Sequence, residues 1–247
     1  MSMKTSSILS IFIFMMVVMT GVYSCKKREA GSPKVEIIYD SIYDIDSNKY
    51  KIVKIGEDWW MAEDLRVTRF RDSTFIPQVQ AKDQWLTAGS SYCLFQGNPQ
   101  ALSLLYNWSA VNDSRGIAPL GWHIASDEEW KRAEQQIGMS VTETDGIGWR
   151  GQSAEAKKIK TEERKGWFVS ESTWPDNNSG LSLSGIGGRV QEGAWSEPGL
   201  FSQGFWWTTS KSGDRAIYRH LDYKYNEIFR DKASLHFGMA VRCVKDR

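Results

Sequence analysis

"GWHIASDEEW", Gly121 to Trp130, packs a histidine, a serine and three carboxylates into ten residues. That density suits either an active site or the start of a helix. Ser126 and Glu129 have the S-x-x-E spacing of a capping box, in which the serine oxygen accepts from the Glu129 N–H while the glutamate reaches back to the Ser126 N–H. Asp127 and Glu128 fall in the first turn, where the helix dipole favours negative charge. Trp130, Ala133 and Ile137 recur at i, i+3 and i+7, one apolar face. Gly138 stands where a helix stops. The pattern predicts a helix start, and nothing beside His123 signals a nucleophile. Local packing and hydrogen bonding are expected of that histidine, and His123→Ala is expected to leave binding intact.

Working outward, the N-terminus has a different character. Lys4 precedes an unbroken apolar or small run, Ile8 to Thr20. It is short for a membrane span and has the length of a signal-peptide core. "GVYSC" follows, with a small residue directly before Cys25, and resembles a bacterial lipobox, although Tyr23 stands where a smaller residue is usual. The expectation is a lipoprotein signal peptide over 1–24 and lipidation at Cys25. Lys26 follows the cysteine in place of an aspartate, which favours the outer membrane, surface-exposed or periplasm-facing. "KKREAGSPK" reads as a polar tether over 25–34. Losing the leader removes Lys4 and leaves as many cations as anions, so no basic excess argues for nucleic acid.

The remainder, 35–247, reads as one domain without repeats or a second linker. Tryptophan is plentiful at 12 residues and glycine at 21, which suggests a loop-rich fold with aromatic anchors. "VEIIYDSIYDIDSNKYKIVKIG" alternates around "DSN" as a β-hairpin does. Helix-like pieces, "AKDQWLTA", "LLYNWSAV" and "SDEEWKRAEQQIG", occupy the middle. Short turn-bounded segments, "LSLSGIGGRV", "GFWWTTS", "AIYRHLDY", "NEIFRD" and "FGMAVRCV", fill the last third and predict a curled antiparallel sheet. Strands flanking a helical middle give an α+β class. Trp206 and Trp207 are adjacent and face opposite sides of a strand; one is expected in the core and the other is a candidate for exposure. Cys93 and Cys243 are left in an oxidising compartment, where pairing is the expectation. That bridge would close a loop of about 150 residues, worth up to about 4–5 kcal/mol.

"GLSLSG" has Ser184 where G-x-S-x-G needs its last glycine. "GIGG", Gly185 to Gly188, lacks the spacing and the helix of a dinucleotide site. His123, His220 and His236 have no partner at metal-ligand spacing. No catalytic residue, metal or cofactor is therefore assigned. "WPDNNSG" offers the best binding loop: Trp174 supplies an aromatic face for a sugar ring, and Asp176, Asn177 and Asn178 supply oxygens for hydroxyls or for calcium, although no motif specifies calcium. The same residues make ordinary turns.

Several segments, in order, resemble the Fibrobacter succinogenes major paralogous domain family: "YKIVKIGEDWWMAEDLRV", "IPQV" with "SSYCLF", "LLYNWSAV", "LGWHIASDEEW", "GFWWTTS" and "FGMAVRCVKD". Together they span nearly the whole chain after the tether. The resemblance implies a bacterial surface lipoprotein with a C-type-lectin-like domain, related in fold to formylglycine-generating enzymes. The family often carries a cysteine where this chain has Ala118, which leaves Cys93–Cys243 as the only bridge available. It often has "SGFSALPGG" where this chain has "SGLSLSGIGG". The reading that follows is a non-enzymatic, lipid-anchored binder of a glycan or another envelope component. The alternatives are an enzyme related to the formylglycine generators and a purely structural envelope lipoprotein.

Overall fold

Alternation of large apolar residues builds the strands, and their two faces feed two cores. The computed structural model describes residues 40–98, 103–152, 154–163 and 166–247. The expected leader, Cys25 and the tether lie outside these residues. The predicted hairpin forms from β1 (Asp40–Tyr43) and β2 (Lys49–Ile55), and β3 (Asp58–Met61) follows. Short helices come next: α1 (Lys82–Thr87) and α2 (Trp108–Val111), with β4 (Tyr92–Cys93) and β5 (Leu105–Tyr106) between them. β6 (Trp122–Ile124) leads into α3 (Asp127–Gln136). Beyond it lie α4 (Val141–Asp145), β7 (Gly148–Arg150) and α5 (Glu155–Ile159). The last third holds β8 (Gln203–Ser212), β9 (Arg215–Asp222), β10 (Ile228–Ser234) and β11 (Cys243–Lys245).

The protein is a mixed α+β molecule built mainly from antiparallel sheets with few, short helices. One sheet runs β1-β2-β3-β11-β6, so the last strand sits between β3 and β6. A second runs β7-β10-β9-β8, and β4 pairs with β5. "LSLSGIGGRV" does not become a strand. It makes isolated bridges, such as Gly187 to Gly204 and Arg189 to Gly238, and its glycines allow close packing. Gly187 has φ +71°, and a Cβ there would lie 2.3 Å from the Phe95 ring. Among the described residues no helix is long and apolar enough to cross a membrane.

Two hydrophobic clusters flank the strands. Tyr50, Met61, Trp207, Val241 and Cys243 belong to the first, whereas Val53, Trp60, Trp206, Val244 and Cys93 belong to the second. Neighbouring residues of one strand thus enter different cores, as a period of two requires. This corrects two expectations. Trp206 and Trp207 are both fully buried, because both faces of β8 are covered. Their indole N–H groups donate to Asp64 Oδ1 at 2.9 Å and to the Tyr106 carbonyl at 2.9 Å. The Cys93–Cys243 bridge is not formed: both are free, buried thiols in different clusters. Burial pushes the Cys93 thiol up to about 12 and that of Cys243 higher still.

Candidate functional site

The opening stretch is a helix start. Ser126 Oγ accepts from the Glu129 N–H at 3.3 Å, and Glu129 Oε2 accepts from the Ser126 N–H at 2.8 Å. His123 sits between two carboxylates, with Nε2 2.8 Å from Glu129 Oε1 and Nδ1 2.6 Å from Asp246 Oδ1. The Glu129 bond, aided by Asp246 and opposed by partial burial, raises the imidazole to about 9. Burial would raise Glu129, but its bonds to His123 and Ser126 hold it at about 2. His123 is therefore a cationic staple from the helix N-terminus to the end of the chain.

Asp127 does more than favour the helix dipole. In the second sheet, register sets Arg230 opposite Arg219, and Arg219 opposite Trp206. These side chains share the face turned to α3. Arg219 Nη1 lies 2.7 Å from Asp127, and its Nε 2.5 Å from Glu134. Arg230 grips both Asp127 oxygens, at 2.9 and 2.6 Å. Arg150 grips both Glu134 oxygens, at 3.0 and 3.1 Å. Burial would raise the Asp127 carboxyl, yet Arg230 and Arg219 hold it well below the usual range. A buried ionic layer thus locks α3 to the sheet.

The opposite face of this sheet is aromatic. Register aligns Trp149, Phe229, His220 and Phe205 across all four strands, and the next row on that face holds Asp231, Tyr218 and Trp207. At β8 the face is closed, since Phe205 and Trp207 are buried in the first cluster. Toward the edge strand β7 it opens: Trp149 is 37% exposed and Tyr225, from the turn after β9, is 43% exposed. The Trp149 ring lies 4.4 Å from Tyr225, 5.1 Å from Phe229 and 5.2 Å from His220. His220 stacks on Phe205 at 4.3 Å and 9°. Buried Lys160 holds the Tyr225 turn by donating to the Asp222 and Tyr225 carbonyls, each at 2.8 Å.

The loop singled out from sequence lies next to this turn in the hydrogen-bond pattern. Asn226 Nδ2 donates to the Ser172 carbonyl at 3.0 Å, just before Trp174. Trp174 is 54% exposed. Asn177 has φ 44° and spends its amide on Ser182, accepting from the N–H at 3.0 Å and donating to Oγ at 2.8 Å. Asp176 Oδ1 accepts from the Asn178 N–H at 3.2 Å, which makes an Asx turn. Among the described residues no group of three or more His, Cys, Asp and Glu side chains could hold a metal ion.

A polar cleft of about 260 Å³ is lined by Glu63, Asp64, Arg66, Ser182, Ser184 and Arg242, among others. Its floor is a structural tie. Arg242 Nε donates to Asp64 at 2.5 Å, and its remaining N–H groups go to the carbonyls of Met61, Leu181 and Ser182. Trp206 donates to the same Asp64 oxygen, so "MAEDL", "LSLSG", "GFWW" and "AVRC" converge on one buried ion pair.

The sequence reading missed Trp149, Tyr225, Phe229 and His220 as a group. "AIYRHLDY" read only as a short strand, and only strand register brings Trp149 and Phe229 beside His220. Comparison with known families finds that the model described as the Fibrobacter succinogenes major domain matches residues 53–245. Searches of curated proteins and of solved structures each return no match.

Proposed function

Because the chain belongs to the Fibrobacter succinogenes major domain family, we propose that it is a lipid-anchored envelope protein whose C-type-lectin-like domain binds a glycan without catalysis. The observation that carries this reading is the open aromatic face of Trp149, Tyr225, Phe229 and His220. Aromatic faces are electron-rich and attract the polarised C–H face of a sugar ring, and binding sites combine such surfaces with a few polar groups. Anchoring through Cys25 at the outer membrane, after the apolar run of the leader, would present this face to envelope or external glycans. Among the described residues, Cys93 and Cys243 argue against a thiol-based enzyme, since burial raises both thiols and the thiolate is the reactive form.

A glycan array probed with the full chain in detergent tests the reading. Binding to at least one glycan is expected, with a loss of tenfold or more in Trp149→Ala at unchanged melting temperature. An array without a hit, or a Trp149→Ala protein that binds as well as wild type, would remove the proposal.

A further inference from the structure

The aromatic platform contains one buried polar atom without a partner. His220 Nε2 is buried and has no hydrogen-bond partner. Leaving a buried polar group unpaired is costly, and such atoms are normally paired. The ring is held by Phe205 stacked beneath it and by Phe229 at 5.8 Å and Trp149 at 5.2 Å. Of these, Trp149 keeps the most exposed surface. A ligand atom reaches this nitrogen only through a local rearrangement, since the atom is buried.

We propose that His220 determines the specificity of this platform, its free ring nitrogen reading a hydroxyl of an uncharged sugar that stacks on Trp149. The inference rests on the glycan-binding reading and adds the ligand class. A neutral imidazole offers one donor and one acceptor, and a hydroxyl can answer either. Burial supports the neutral form by pushing His220 down to about 4, with Asp222 raising it slightly and Lys160 lowering it. A sugar carboxylate is anionic, and Asp231 shares the face by register, so an acidic sugar would meet like charge.

The test measures binding of the full chain in detergent to neutral hexasaccharides of glucan, xylan and mannan type and to an oligogalacturonate hexamer. Wild type should bind at least one neutral hexasaccharide tenfold or more tighter than the oligogalacturonate. His220→Phe keeps a ring on Phe205 and deletes the nitrogen, and it should lose tenfold or more. A second pair covers a His220→Phe protein that folds poorly: His220→Gln keeps a nitrogen donor, and His220→Met has similar length without one. The glutamine variant should bind tenfold or more tighter than the methionine variant. Equal binding within the pair, wild-type binding by His220→Phe, or preference for the oligogalacturonate would overturn the role of His220. If those results come with a Trp149→Ala protein that has lost binding, the platform stands and only the hydroxyl reading falls. If no hexasaccharide binds wild type, the His220 reading falls, and the glycan array decides whether the platform stands.

Discussion

At the scale of single residues, His123 shows how a group that looks catalytic can be structural. Its imidazole is raised to about 9 in the folded protein, against about 6.5 when free. A raised histidine contributes stability that is complete below about pH 6.5 and is lost as pH rises through about 9. The melting temperature of wild type should therefore fall relative to that of His123→Ala between pH 7 and 9.5, while glycan binding at neutral pH stays the same in both. Parallel pH curves would deny the staple, and lost binding in His123→Ala would make it a site residue. Beside it, the Ser126 hydroxyl acts as a cap, and Ser126→Ala should cost about 1 kcal/mol. Trp130 is buried and packs edge-on against Trp60 at 5.1 Å. Trp130→Ala should cost about 3–5 kcal/mol by denaturant titration, the range for large aromatic truncations.

At the scale of elements, α3 is bound to the second sheet by charge as much as by its apolar face. Asp127 and Glu134 lie about two turns apart on one face of α3 and receive Arg150, Arg219 and Arg230 from three different strands. Each acid is desolvated, so the layer holds together only while every charge is paired. Glu134→Gln leaves Arg150 and Arg219 facing a neutral amide and should destabilise the fold by about 3–5 kcal/mol. A chemical-denaturation loss under 1 kcal/mol would show that the layer is dispensable. The same sheet explains where the platform comes from. Its inner face spends arginines on α3, and its outer face runs from a closed end at Trp207 to an open end at Trp149. α4 and α5 escaped the sequence reading because each is a single short turn or so of helix, too brief to show a period.

At the scale of the whole molecule, the two cores decide the state of the cysteines. Thiol counting on denatured, unreduced protein should find Cys93 and Cys243 both free, while the folded protein should resist alkylation because each side chain is buried. Recovery of no free thiol after denaturation would restore the bridge. An oxidising compartment favours pairing, but each cysteine is a free buried thiol and the two enter different clusters. Local sequence determined the elements whose signals are local. The capping box at Ser126, the "DSN" turn of the first hairpin and the aromatic strands of the last third were legible because neighbours along the chain supply their hydrogen bonds and periodicity. The order of the motifs likewise revealed the family. Tertiary structure alone decided the rest. Strand register set Trp149, Phe229 and His220 in one row, turned Asp127 from a helix-dipole residue into the centre of an ionic layer, covered both Trp206 and Trp207, and kept Cys93 from Cys243. These outcomes depend on which strands pair and which faces meet, and contacts between residues a hundred positions apart leave no periodic trace in the chain.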